Sequence, residues 1–306
     1  MKEKEEPAEA LLTLEPEVET NLKEDGFLSA LFKPETDAYP GKVLILVGGS
    51  DGYFCLTRLI AEQFAASGLT VLALAYWGKE GLPTALQRIP LEYAEKAALW
   101  LKARGYEKIG IWGISMGAEF SLLAASLLPE QISCCVGVCP ISICTQALQK
   151  KNKWHKRMKL LEGSVFTFRG QDLPLEALSF HKKQVLLDSL RGKELTLRSC
   201  YEAAVNRKNP ETEIPVEKMA GPLLLLAPDR DSMWPSKESA ERLILRRKKQ
   251  GLTTEYFHYA YASHLLIPYK LKSRRAFRLE REYPDRCWKS DVDAFQKTLV
   301  FLKNNW

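Results

Sequence analysis

Several features are scarce in this chain, and each scarcity removes a class of function. No apolar run approaches the ~20 residues needed to cross a bilayer, so no membrane association is expected. The opening Met1-Lys2-Glu3-Lys4-Glu5-Glu6 is charged where a secretory signal would be apolar, which predicts a cytosolic protein. Histidine occurs only four times in 306 residues, and no C-x-x-C pair accompanies histidines at zinc-like spacing. The cysteines number seven, with Cys134, Cys135, Cys139 and Cys144 crowded on one expected strand and its exit. They read as small buried apolar residues in a reducing compartment, and no metal is expected. The glycine-rich turn Gly48-Gly49-Ser50-Asp51-Gly52 lacks both the Gly-x-Gly-x-x-Gly spacing and the lysine of a Walker loop, so no cofactor is expected. A net charge of +6 reads as a mildly basic, soluble surface rather than as a nucleic-acid footprint.

What remains is enough apolar residue, 46%, for a substantial core. Residues 1–16 are acidic, hold Pro7 and Pro16, and read as a loose lead-in; residues 17–306 read as one domain. Residues 18–32 fit a hairpin broken near Glu24-Asp25-Gly26. The runs 43–47, 70–76, 108–114, 132–138 and 223–227 are continuously apolar, as strands covered on both faces are. Helical stretches at about 54–67, 91–104, 118–128, 236–250 and 290–303 alternate with them, and 254–259 reads as a last strand. This rhythm predicts an α/β fold with a mostly parallel central sheet, helices on both faces, and a site at the C-terminal ends of the strands. Between about 141 and 220 the rhythm breaks without a clear buried strand, which predicts a small cap-like excursion over the site. The cationic run Arg246-Arg247-Lys248-Lys249 reads as a solvated helix end opposing the macrodipole.

The most informative stretch is Gly113-Ile114-Ser115-Met116-Gly117, which lies between a strand-forming and a helix-forming run. Gly-x-Ser-x-Gly in that context is the nucleophile elbow. Two residues without bulk let strand and helix approach while Ser115 projects its hydroxyl, and the N–H of Met116 faces the oxyanion formed in acyl transfer. A second donor is expected from the loop after residues 43–47, at Ser50 or Gly49.

An acid and a base should follow in the chain order Ser, Asp, His. Asp229 and Asp231 both follow the strand at 223–227, and Asp231, farther out, is favoured for its reach toward a histidine loop; the other would end the strand or pair with Arg230. Of the histidines, His155 and His181 fall in the excursion and His258 within a strand, which leaves His264 in the loop beyond the last strand. Ser115, Asp231 and His264 then form a charge-polarised nucleophile for an acyl ester or thioester.

Collected, these stretches resemble the catalytic domain of the acyl-CoA thioester hydrolase and bile acid-CoA:amino acid N-acyltransferase family, itself related to dienelactone hydrolases. The matching segments are Leu46-Val47-Gly48-Gly49, Leu74-Ala75-Tyr76, Leu91-Glu92-Tyr93, Gly113 to Glu119, Ile214-Pro215-Val216-Glu217-Lys218, Asp231 with Trp234-Pro235-Ser236, and Ser263-His264 with Pro268-Tyr269. The resemblance implies an α/β-hydrolase fold, catalytic positions at Ser115, Asp231 and His264, and a small-molecule acyl thioester or ester substrate with acyl-CoA leading. Its Trp-Pro-Ser context supports Asp231 over Asp229. The serine nucleophile resembles that of the hydrolases, whereas the amino-acid-transferring members look different in using cysteine. Two departures stand out: the residues before Val43 are too few for the β-sandwich that precedes the domain in two-domain members, and Met116 stands where the family often has lysine. The alternatives are a carboxylesterase or dienelactone-hydrolase-like esterase, an acyl-CoA:amine N-acyltransferase, and a non-catalytic binding protein.

Overall fold

A computed structural model describes residues 13–149, 159–180, 182–194 and 196–306. Its elements run β1 (Val18–Thr20), β2 (Leu28–Phe32), β3 (Lys42–Val47), α1 (Phe54–Ala66), β4 (Thr70–Ala75), β5 (Ile89–Pro90), α2 (Glu92–Lys102), β6 (Lys108–Ile114), α3 (Met116–Leu127), β7 (Cys134–Val138), β8 (Gln146–Gln149), β9 (Lys159–Ser164), β10 (Phe166–Phe168), β11 (Gln171–Asp172), α4 (Lys182–Gly192), α5 (Arg198–Asn206), β12 (Leu223–Pro228), α6 (Ser236–Lys248), β13 (Glu255–Tyr259), α7 (Arg278–Glu282) and α8 (Pro284–Asn304). An eight-stranded sheet has the order β1-β2-β4-β3-β6-β7-β12-β13. From β4 to β13 neighbouring strands are parallel, while the β1–β2 hairpin adds antiparallel to β4. The fold is that of an α/β hydrolase.

The continuous apolar runs have a direct cause in the two faces of this sheet. Val43, Ile45 and Val47 of β3 pack with Ile109 and Ile111 of β6 against α2, α3 and α6. Their alternates, Leu44, Leu46, Trp112 and Ile114, pack against Ile60 and Phe64 of α1 and Phe301 and Leu302 of α8. A strand with water on one face would alternate in polarity; these cannot.

Three expectations need correction. The closing helix α8 begins at Pro284 rather than near residue 290, because proline suits the first turn, where no N–H is needed. The excursion does hold buried strand: β10 pairs in parallel with β5, and Val165 and Phe166 are fully buried. Three residues are too short to show a period. The cationic run is a solvated helix end only at Lys248 and Lys249, since Arg247 is buried and donates to the carbonyls of Val216 and Gly221 while Arg246 pairs with Glu217 and Glu213. Those contacts tie α6 to the segment entering β12. The acidic lead-in through residue 12, and most of the basic stretch at 150–159, lie outside the described residues. Among the described residues no helix is long and apolar enough to cross a membrane.

Candidate active site

The turn between β6 and α3 places Ser115 in a backbone conformation that side chains rarely adopt, φ 59° and ψ −124°. The flanking glycines explain how the turn survives. A Cβ on Gly113 would sit 2.0 Å from the carbonyl oxygen of Gly117, and a Cβ on Gly117 would sit 2.2 Å from that of Gly48. The first turn of α3 thus lies directly on the end of β3, and its leading N–H groups, including that of Met116, have no intrahelical acceptor. Gly49 lies alongside, its Cβ position 3.6 Å from Ser115 Cβ. Ser50, in the same loop, follows it directly.

Ser115, His264 and Asp231 meet at the C-terminal ends of β6, β13 and β12. His264 Nε2 is 2.7 Å from Ser115 Oγ, and Nδ1 is 2.7 Å from Asp231 Oδ2. Asp231 is 1% exposed and His264 7% exposed, so the contact is screened little by solvent. The carboxylate is fixed from behind: Met233 N–H donates to Oδ1 over 2.8 Å, and Ser236 Oγ donates to Oδ2. The imidazole is fixed from the side by Trp234, edge-on at 5.5 Å, whose indole N–H donates to the carbonyl of Cys139 over 3.0 Å.

Asp229 directly follows the end of β12, one of its two expected roles, and its side chain pairs with a histidine. Its Oδ1 is 2.7 Å from Nδ1 of His258, on the exposed side of β13, and 3.3 Å from Lys237. The two aspartates therefore divide between two histidines, one exposed and one buried, and Asp229 does not pair with Arg230. His155 and His181 fall outside the described residues.

The loop carrying His264 is held by a buried ionic knot that sequence reasoning missed. Arg274 donates to the carbonyls of Leu265, Ile267 and Tyr269, and lies 2.6 Å from Glu280 and 2.8 Å from Asp291. Glu280 also accepts from Ser263 Oγ at 2.7 Å, next to the histidine. Burial pushes the Asp291 carboxyl up to about 8, against the pull of the Arg274 guanidinium. Within the Arg- and Lys-rich stretch 270–282, nothing in the sequence distinguishes Arg274 from its solvated neighbours.

Two further groups under the site appear in the sequence only within the matching segments, with no role of their own. Glu119, in the first turn of α3, is buried, with Thr145 N–H donating to Oε1 over 2.8 Å and Thr145 Oγ1 lying 2.7 Å from Oε2. Desolvation raises its carboxyl to about 8. Tyr76, just past β4, is buried, and its hydroxyl donates to the carbonyls of Gly48 and Gly49.

All seven cysteines are free thiols, and six are buried. Burial pushes those of Cys134, Cys135, Cys139 and Cys144 up, so they stay neutral. Cys139, Asp231 and His264 bring three metal-capable atoms within 4.8 Å of one another. Their donors are already engaged: histidine with aspartate, and Cys139 Sγ with the His264 carbonyl over 3.4 Å.

A serine hydroxyl against an imidazole nitrogen, the ring itself backed by a buried aspartate, can shed its proton to that nitrogen while attacking an electrophilic carbon. Comparison with known proteins gives this geometry a context. A model of the family described as BAAT / Acyl-CoA thioester hydrolase C terminal matches residues 89–304. Acyl-coenzyme A amino acid N-acyltransferase 2 of Mus musculus is 28% identical over 261 residues, covering 81% of this chain and 54% of that protein. Acyl-coenzyme A thioesterase 6 of Mus musculus is 28% identical over 241 residues, covering 77% of this chain and 50% of that protein. The chain spans about half the length of these curated relatives. Among solved structures, a Klebsiella pneumoniae protein assigned as a dienelactone hydrolase superposes with a TM-score of 0.54 at 14% identity, covering 91% of this chain and 93% of that one.

Proposed function

Because the chain belongs to the BAAT / acyl-CoA thioester hydrolase C-terminal family, we propose that it is a serine hydrolase of acyl thioesters, acyl-CoA foremost, working through an acyl-serine intermediate. The observation that carries this reading is the continuous contact from Ser115 through His264 to Asp231, 2.7 Å at each step.

In this mechanism His264 Nε2 takes the Ser115 proton as Oγ attacks the thioester carbonyl. Asp231 holds the imidazole with its proton on Nδ1 and stabilises the imidazolium. The C–S bond then breaks as the sulfur takes the proton from Nε2 and leaves as the thiol, so that His264 is again neutral and an acyl-serine remains. Water, deprotonated by the same nitrogen, releases the carboxylic acid and restores Ser115. The N–H groups of Met116 and of Ser50 or Gly49 hold the oxyanion in both halves, each donor being worth about 3 kcal/mol of barrier. A cytosolic location belongs to the same reading, supported by seven cysteines without a disulfide.

The test is steady-state turnover of a matched panel, acyl-CoA thioesters against p-nitrophenyl esters of equal acyl length, with Ser115→Ala as control. A large serine-dependent preference for the thioesters supports the proposal. Equal or faster turnover of the simple esters reduces it to a general esterase. Since one relative is named as an amino acid N-acyltransferase, the same assay carries an amino acid acceptor. Amide formed in place of free acid would reassign the acyl-serine to transfer.

A further inference from the structure

The loop after β3 runs close beside Ser115, and its orientation is set by one buried phenol. The Tyr76 hydroxyl lies 3.1 Å from the Gly48 carbonyl oxygen and 3.0 Å from that of Gly49, its single proton shared between them. The Gly48 carbonyl is hemmed in from the other side, since it occupies the space a Cβ on Gly117 would fill, 2.2 Å from that position. Gly48 itself has no room for a side chain, as its Cβ would fall 2.3 Å from Thr57 Oγ1.

Among the described residues no peptide is cis. In a trans peptide the N–H points opposite to the C=O of the preceding residue. Holding the Gly48 carbonyl therefore aims the N–H of Gly49, and holding the Gly49 carbonyl aims the N–H of Ser50. Both face away from the phenol. Tyr76 is itself immobilised, 3% exposed, its ring 5.3 Å from Phe120 of α3 and 6.2 Å from Phe166 of β10. The indole N–H of Trp77 reaches the same Gly49 carbonyl only at 3.5 Å, which leaves the phenol as the stronger tether.

We propose that Tyr76 is a positioning residue for the oxyanion: by tethering the Gly48 and Gly49 carbonyls it aims the N–H groups of Gly49 and Ser50 at the carbonyl oxygen of a substrate under attack by Ser115. The inference rests on the acyl-serine reading above. Burial also pushes the phenol well above its ordinary pKa, which keeps the tethering proton in place at any working pH.

The test is Tyr76→Phe, which removes one oxygen and keeps the ring packing. Loss of a whole oxyanion donor lowers kcat by about a hundredfold or more. A donor kept but loosely aimed should cost about tenfold to thirtyfold in kcat, with KM within about twofold. A readout that packing alone would not move is the affinity for an acyl trifluoromethyl ketone, whose hemiketal with Ser115 carries an oxyanion, set against the affinity for the free carboxylic acid product. The expected result is weakening of the ketone by the same factor as kcat/KM, unchanged product binding, and a melting temperature within a few degrees of wild type. Unchanged kcat and ketone affinity would overturn the proposal. So would equal losses for ketone and product together with a lowered melting temperature, because that is a packing defect. Activity that persists in Ser115→Ala would instead remove the acyl-serine reading on which the proposal rests, and Tyr76→Phe would not produce that result.

Discussion

Glu119 offers a severe test of the electrostatics beneath the site, because its charge state decides which substitution is tolerated. The carboxyl is 1% exposed and raised from 4.5 to about 8 by desolvation, so it is protonated in the folded protein at pH 7. In that form Oε1 accepts the Thr145 N–H, while the 2.7 Å contact to Thr145 Oγ1 can run from the carboxylic O–H. A glutamine reproduces both contacts with its carbonyl and amide. The folded pKa lies above the unfolded one, so the folded state holds a proton that the unfolded state releases between pH 4.5 and about 8. The stabilisation is therefore full below pH 4.5, falls as pH rises toward about 8, and levels off above. At about 1.4 kcal/mol per pH unit, the whole fall amounts to about 5 kcal/mol at most. Glu119→Gln should match wild type within about 1 kcal/mol at pH 5 and become the more stable of the two by pH 8.5, opening a gap of up to about 4 kcal/mol. Glu119→Ala leaves the buried Thr145 N–H and hydroxyl without their partner and should cost about 2–4 kcal/mol at low pH. Urea unfolding at half-unit pH steps reads all three. A glutamine variant with the wild-type pH slope, or one as damaged as the alanine variant, would refute this account of the carboxyl.

The two aspartates should separate cleanly. Asp231→Asn, which favours the wrong imidazole tautomer, should lower kcat by about 10⁴-fold, whereas Asp229→Asn, paired with the exposed His258, should leave kcat within a few-fold; both are read by steady-state assay. Gly117→Ala puts a methyl 2.2 Å from the Gly48 oxygen and 2.4 Å from that of Val47. It should destabilise by more than about 3 kcal/mol or prevent folding, which thermal unfolding of any soluble protein would show. Arg274→Met removes the only cation in contact with Glu280 and Asp291 among the described residues and frees three loop carbonyls, at a cost of about 3–5 kcal/mol by urea unfolding.

What the sequence made legible, and what it hid, follows from how far each signal reaches along the chain. β3 and β12 were readable because both faces of the sheet are covered, so four or five consecutive apolar residues could not be mistaken for a surface strand. The tight turn between β6 and α3 was readable because two steric conflicts, at Gly113 and Gly117, demand glycine at fixed spacing around Ser115. The excursion was opaque for the opposite reason, since β10 and β11 are three and two residues long, β11 pairs only with β10, and β10 pairs with β5, about 80 residues earlier in the chain. The aspartates could be ranked by reach, but their division between His258 and His264 is a fact of three dimensions. Arg247 was read with its charged neighbours and Arg274 was not singled out, because burial of a cation leaves no mark on composition; only the carbonyls they meet identify them.

The central claim is that Ser115 becomes acylated during turnover. The most direct measurement is rapid acid quench of the wild-type protein with acyl-CoA in the pre-steady state, followed by peptide mapping by mass spectrometry. The account predicts an acyl ester on the peptide containing Ser115, formed before free acid reaches its steady rate and absent in Ser115→Ala. Release of free acid at the full rate with no acyl group on Ser115, or undiminished release by Ser115→Ala, would contradict it.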